Sequence, residues 1–199
     1  MSTQVAQRAD ATVDHAAATG RPGLLLDRDG TIIADHGYVG TVDRVDMIEG
    51  AAEAIALFNR ASIPVAVITN QSGIARGFYD LEDVEKVHAF IDEQLTAHGA
   101  RVDLYLFCPY HPDGIVDEYA RASADRKPAP GMAQKAAEAL DLDLGSSWVV
   151  GDRPEDIGVG QAIGASIAYL GADRPPTPGV FPFPSLAAAA PFILERIGS

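Results

Sequence analysis

Short apolar runs alternate along this chain with stretches of helical periodicity. The runs occupy 24–27, 64–70, 102–107, 148–152 and 165–170. They are too short for helices, and they lack the alternation of a strand with one wet face. Strands of this kind are buried on both sides, and the helices between them supply the covering layers. The pattern predicts an α/β fold: a doubly wound, Rossmann-like parallel sheet with right-handed crossovers. Helices are expected at 51–61, 81–98, 131–140, about 155–163 and 185–197. Asp80 reads as the N-cap of the second, and Gly99 ends it. Polar residues 1–22 read as a mobile arm, and 23–199 as one domain. The proline-rich stretch 172–184 is expected to hold no regular element.

In a parallel sheet the C-terminal ends of the strands share one edge, where such folds bind ligands. L-L-L-D-R-D-G-T at 24–31 delivers Asp27 and Asp29 to that edge, and Gly30 permits a sharp turn. P-V-A-V-I-T-N at 64–70 delivers Thr69 and Asn70. W-V-V-G-D at 148–152 delivers Asp152, and R-K-P-A-P-G at 126–131 brings Arg126 and Lys127. All of these groups converge on one crevice.

The aspartates repel one another there. At about 4 Å and an effective dielectric near 20, one like-charge pair costs about 4 kcal/mol. A hard divalent cation relieves this, and oxygen ligands open to water and phosphate favour Mg²⁺ over zinc. Lys127, with Arg76, Arg126 and Arg153 in neighbouring loops, suits a bound phosphate. A carboxylate can attack phosphorus. Asp29 is placed to protonate the leaving oxygen and then to activate water.

Composition narrows the partners. A formal net charge of −13 opposes nucleic acid and anionic membranes. No apolar run reaches the roughly 18 residues of a membrane helix. The first residues lack a signal peptide's apolar core, so a cytoplasmic protein is expected. The single cysteine, Cys108, leaves no internal disulfide and no multi-cysteine metal site.

D-R-D-G-T, T-N-Q-S-G, R-K-P-x-P-G-M and V-G-D, in this order across about 23–170, resemble the four motifs of the haloacid dehalogenase (HAD) superfamily of phosphohydrolases. The resemblance implies Asp27 as nucleophile and Asp29 as general acid/base. It implies Thr69, Asn70 and Lys127 at the phosphate. It also implies Mg²⁺ held by Asp27, the Asp29 carbonyl and Asp152. D-H-G-Y-V-G at 35–40, T-N-Q-S-G-I-A-R-G at 69–77 and C-P-Y-H-P-D-G at 108–114 are similar to one branch, the D-glycero-D-manno-heptose-1,7-bisphosphate 7-phosphatases. Histidinol-phosphate phosphatases are the related alternative. The branch implies a HAD fold without a large cap domain, in which loops 34–46, 73–80 and 108–126 take the cap's place. It implies a monomer acting on a phosphorylated small molecule, with Arg126 and Arg153 contacting substrate phosphate.

One departure stands out. The branch binds structural zinc through C-x-H and C-x-C, whereas this chain has Cys108-Pro109-Tyr110 and Ser123-Ala124-Asp125. Structural zinc is therefore expected to be absent, and Cys108, His111 and Asp125 are what remains of a substitute set. A phospho-acceptor regulatory domain and a non-catalytic sugar-phosphate binder compete with the enzyme reading. Asp29 speaks against the first, because storing a phosphoryl group needs no leaving-group acid. Among the remaining polar residues, Asp156 reads as a helix-start residue, with support of Arg153 or of the metal as the alternative. His36 reads as a loop residue, and His88 and His98 read as helix-surface residues. Arg76 reads equally as a surface charge or a distal phosphate contact.

Overall fold

The computed structural model describes residues 20–171 and 177–197. The expectation of a mobile arm at 1–22 falls outside these except at its end. There Arg21 is tied down: its N–H donates to the Asp141 carbonyl at 3.0 Å, and the Asp143 N–H donates back at 2.9 Å.

Among the described residues six strands form one parallel sheet. They are β1 (Leu24–Leu26), β2 (Val65–Asn70), β3 (Leu104–Cys108), β4 (Trp148–Gly151), β5 (Ser166–Leu170) and β6 (Val180–Phe183). Their spatial order is β3-β2-β1-β4-β5-β6. The helices are α1 (Ala51–Arg60), α2 (Leu81–Ala97), α3 (Gly131–Leu140), α4 (Pro154–Ile163) and α5 (Leu186–Ile197). β1 is central, with Leu26 registered against Val67 of β2 and Val150 of β4. The chain order reverses at this strand, so the crevice opens beside β1.

Two cores explain the unbroken apolar runs. Leu24, Leu26, Val65, Val67 and Val150 pack on one face with α1, α2 and α5. Leu25, Ala66, Ile68 and Val149 pack on the other with α3 and α4. Side chains alternate between faces along each strand, and both faces are covered, so every position is apolar. A capping box starts α2: the Asp83 N–H donates to Asp80 Oδ1 at 3.0 Å, and the Asp80 N–H donates to Asp83 Oδ2 at 3.2 Å.

Two expectations are corrected. The stretch 172–184 does carry a regular element, β6, with Pro182 inside it. β6 is an edge strand. The carbonyls of Gly179 and Phe183 accept from Ile167 and Gly171, so alternate residues face β5. Pro182 lies between them, and its missing N–H is directed away from the sheet, where an edge strand tolerates proline.

His88 is the other correction. It is buried, stacked on Tyr105 with ring centroids 4.4 Å apart, and its Nε2 has no hydrogen-bond partner. Burial first, and then the Arg28 charge, push its pKa down to about 3. The unfolded chain binds this proton near pH 6.5, so stability is complete above that value and is lost as pH falls from 6.5 toward 3. Phenylalanine at position 88 is expected to remove about 2 kcal/mol of the stability difference between pH 7 and pH 5. Urea titrations of both proteins at the two pH values check this. Equal differences would place the acid sensitivity elsewhere.

Candidate active site

β1 carries its ladder one residue past its last leucine, since the Asp27 N–H donates to the Val150 carbonyl at 2.8 Å. The chain then turns tightly, with the Arg28 carbonyl accepting from Ile32 at 2.9 Å and Ile33 at 3.1 Å. Gly30 has φ of +82°, and a Cβ there would run into the Asp152 carboxylate. Glycine therefore permits both the turn and the close approach of β1 to the end of β4.

Lys127 reaches this point from the loop before α3. Its Nζ donates to Asp27 Oδ1 at 2.8 Å and to Asp156 Oδ1 at 2.5 Å, with only 3% of the side chain exposed. Asn70, at the end of β2, holds the lysine's backbone. Its Oδ1 accepts from the Lys127 N–H at 3.0 Å, and its Nδ2 donates to the Lys127 carbonyl at 3.1 Å. Attraction to Asp27 and Asp156 outweighs burial and raises the lysine's pKa, so it carries its charge.

The sequence suggests Asp156 as a helix-start residue or a support for Arg153 or the metal, and its bond to Lys127 was not foreseen. It does stand in the first turn of α4, as the sequence suggests, but its carboxylate is buried. Its Oδ2 accepts from the Arg153 N–H at 3.0 Å, and its Oδ1 holds Lys127. The signal was an acid four residues beyond Asp152, in a helix opening onto the crevice.

Asp27, Asp152 and Asp156 each offer an oxygen within 4.8 Å of the others. Both Asp156 oxygens are already engaged, whereas Asp152 Oδ1 is buried without a hydrogen-bond partner. Burial, followed by the Asp27 charge, pushes the Asp152 pKa up to about 6. Carboxylates gathered closely enough to perturb one another, with an orphaned oxygen among them, fit a hard cation.

Asp29 is held differently. Arg28, fully buried, donates from Nε to Oδ2 and from Nη2 to Oδ1, both at 3.0 Å. The arginine is anchored in turn by the Val39 carbonyl at 2.7 Å. Gln71 Nε2 donates to Asp29 Oδ2 at 2.9 Å. Burial raises the Asp29 pKa, Arg28 opposes it, and Asp27 adds to it. A carboxyl raised in this way is suited to give a proton. Sequence reasoning passed over Arg28 and Gln71. An arginine between two aspartates at a buried strand end was the available signal, because a buried charge must be paired.

These groups line a cavity of about 510 Å³, which also takes in Tyr38, Arg126 and Arg153. Every expected site residue lines it except Asp152, which stands beside Asp27. Arg153 pairs with Asp35 and lies 3.6 Å from Asp152. Arg126 donates to the Tyr110 carbonyl at 3.4 Å. Arg76 is turned instead to His111 at 3.3 Å. The substitute metal set is not assembled. Cys108 faces the Tyr110 carbonyl, His111 Nδ1 accepts from the Asp113 N–H, and Asp125 pairs with Lys135. Other contacts order the 108–126 loop. Arg121 lies over the Tyr110 ring at 4.2 Å. The Ala75 carbonyl accepts from Ile115 at 2.7 Å and Val116 at 3.0 Å, which ties this loop to the preceding one.

A parallel sheet in this strand order, with two acids after the central strand, a buried lysine opposite and further acids after β4, defines the HAD-like hydrolases. The HAD-hydrolase-like family model matches residues 124–172. A crystal structure of a HAD-like protein from Mesorhizobium loti superposes with a TM-score of 0.82 at 35% identity, covering 89% of this chain and 86% of that one. D,D-heptose 1,7-bisphosphate phosphatase from B. bronchiseptica, complexed with magnesium and phosphate, gives a TM-score of 0.76 at 30% identity, covering 87% and 99%. The D-glycero-beta-D-manno-heptose-1,7-bisphosphate 7-phosphatase of Rhodopseudomonas palustris is 42% identical over 149 residues, 75% of this chain and 83% of that enzyme. The chain belongs to this family of HAD phosphatases.

Proposed function

We propose that the chain is a Mg²⁺-dependent phosphatase that removes the 7-phosphate of D-glycero-D-manno-heptose 1,7-bisphosphate by way of an aspartyl-phosphate. The observation that carries the reading is the division of labour between two carboxylates. Asp27 is charge-paired to Lys127, and Asp29 is buried and raised between Arg28 and Gln71. A nucleophile and a proton donor require those two different environments.

An Asp27 oxygen attacks phosphorus, and the bond from phosphorus to the sugar oxygen breaks. Asp29 gives its proton to that oxygen. The Asp29 carboxylate next takes a proton from water, the water oxygen attacks phosphorus, and the acyl phosphate bond breaks to free Asp27 and inorganic phosphate. Thr69 and Lys127 hold the phosphoryl oxygens and stabilise charge that grows in the transition state. Asp27, Asp152 and the Asp29 carbonyl would hold Mg²⁺, which would supply further positive charge and relieve the repulsion between the acids. Arg126 and Arg153 hold the phosphate that is not transferred.

The reading includes a monomer working in the cytoplasm on a small metabolite. Among the described residues no helix is long and apolar enough to cross a membrane. Phosphate release is measured with Mg²⁺ on both anomers of the bisphosphate and on histidinol phosphate. The β anomer, which the family's relatives are named for, is expected to be turned over at least about tenfold more efficiently than histidinol phosphate, a difference of about 1.4 kcal/mol. Preference for histidinol phosphate would replace the substrate and leave the reaction class in place.

A further inference from the structure

Gln71 is buried and touches both halves of the chemistry. Its Nε2 donates to Thr69 Oγ1 and to Asp29 Oδ2, each at 2.9 Å. Its Oε1 accepts from the Tyr79 hydroxyl at 2.7 Å. Together the three bonds determine which end of the amide is which. The Asp29 carboxylate only accepts, so the nitrogen, with two protons, faces it and Thr69, and the oxygen is left to take the hydroxyl proton of Tyr79.

Two consequences reach the reacting atoms. The Thr69 hydroxyl already accepts from Gln71, so its own proton is left for another acceptor, a phosphoryl oxygen in the cavity. Asp29 Oδ2 receives Gln71 and Arg28 Nε, whereas Oδ1 receives only Arg28 Nη2. Both oxygens are thereby fixed in direction, Oδ2 by two donors and Oδ1 by one.

Tyr79 is seated between glycines from two different loops. A Cβ at Gly40 would collide with the near side of its ring, and one at Gly73 with the far side and the hydroxyl oxygen. Neither glycine has a positive φ. What they supply is room.

We propose that Tyr79 and Gln71 are positioning residues for the phosphatase reaction. Tyr79 orients the Gln71 amide, and the amide holds the Thr69 hydroxyl as donor to the phosphoryl group and the Asp29 carboxyl as donor to the leaving oxygen. The proposal rests on Asp29 being the general acid.

Tyr79→Phe keeps the ring in its slot and removes only the hydroxyl. The amide oxygen then loses its bond to Tyr79, and the amide is free to swing away from Thr69 and Asp29. With the heptose bisphosphate, kcat is expected to fall about 10-fold with KM changed less than about 2-fold. With p-nitrophenyl phosphate, whose phenolate leaves without a proton, the pre-steady-state burst that reports enzyme phosphorylation keeps only the Thr69 contribution, and its rate is expected to fall by less than about 3-fold. Gln71→Met is expected to cost on the order of 100-fold on the bisphosphate. In that background Tyr79→Phe should cost less than about 2-fold more, because it acts only through the amide.

Asp29→Asn provides the reference: its pre-steady-state rate of enzyme phosphorylation should fall strongly with the bisphosphate and little with p-nitrophenyl phosphate, while its steady turnover falls on both, because hydrolysis of the aspartyl-phosphate needs the same carboxylate. If it lacks that signature, the acid assignment fails and the proposal fails with it. If it shows the signature, three results overturn the positioning proposal alone: a Tyr79→Phe enzyme equal to wild type on both substrates, multiplying losses in the double variant, or equal losses on both substrates with a lowered Tm.

Discussion

Asparagine at position 27 is expected to lower phosphate release on the order of 10⁴-fold or more while the protein stays folded. The amide nitrogen is no nucleophile toward phosphorus, so no aspartyl-phosphate forms. The amide oxygen still accepts from Lys127 Nζ, which now donates to Asp27 Oδ1 at 2.8 Å. The backbone ladder to Val150 is untouched. One negative charge leaves a cluster of three carboxylates whose oxygens lie within 4.8 Å. Asp27 is one cause of the raised Asp152 pKa, so Asp152 ionises more readily in the variant. The rise in Tm on adding Mg²⁺ should shrink, because one of the ligands has lost its charge. Acid quenching of the wild-type enzyme during turnover should trap phosphate on the chain, and the variant should trap none. Retained turnover in the variant would move the nucleophile elsewhere.

The sheet was legible because its strands are buried on both sides. Leu24, Leu25 and Leu26 are all fully buried, and no one-sided strand reads L-L-L. The direction of each strand followed from the polar residues at its end, so Asp27, Thr69 and Asp152 could be aimed at one edge before any packing was known. What escaped was everything set by contacts distant in sequence. Asp156 obeys a local rule, an acid in the first turn of a helix, and that rule hid its bond to Lys127, 29 residues away. His88 falls on the apolar stripe of α2, yet its residue type suggests the surface; only β3, through Tyr105, buries it. β6 was lost because proline argues against a strand, and nothing local reveals that a strand will be at an edge. Arg28 and Gln71 lie inside the motifs, but their partners Val39 and Tyr79 come from loops whose paths no periodicity predicts.

Methionine at position 127 is expected to be the most damaging of these substitutions for the fold. Among the described residues the lysine is the one positive group bonded to both Asp27 and Asp156, and its side chain and that of Asp156 are 3% and 1% exposed. Methionine fills nearly the same volume and leaves two carboxylates facing each other without it. Breaking a buried pair by removing one partner costs about 3–5 kcal/mol. In a domain of this size that lowers Tm by roughly 10 °C, at about 2–4 °C per kcal/mol. The sign of the pH dependence is fixed by Asp156. Its pKa is already raised, by burial first and then by Asp27, with Lys127 pulling it back. Without Lys127 it rises further above its unfolded value, so the Asp156 contribution is largest in acid and is lost as pH climbs from about 4 through that raised value, opposite in sign to the contribution of His88. Added Mg²⁺ replaces part of the missing positive charge and should recover more Tm in the variant than in wild type. Turnover should not recover with it, because the cation does not restore the ammonium that holds the phosphoryl oxygens; a loss on the order of 10³-fold is expected at saturating Mg²⁺. Thermal melts at pH 6 and pH 8, with and without Mg²⁺, test the stability argument. A Tm within about 2 °C of wild type at pH 8 without the metal, equivalent to under about 1 kcal/mol, would show that the acids do not depend on Lys127 for their burial.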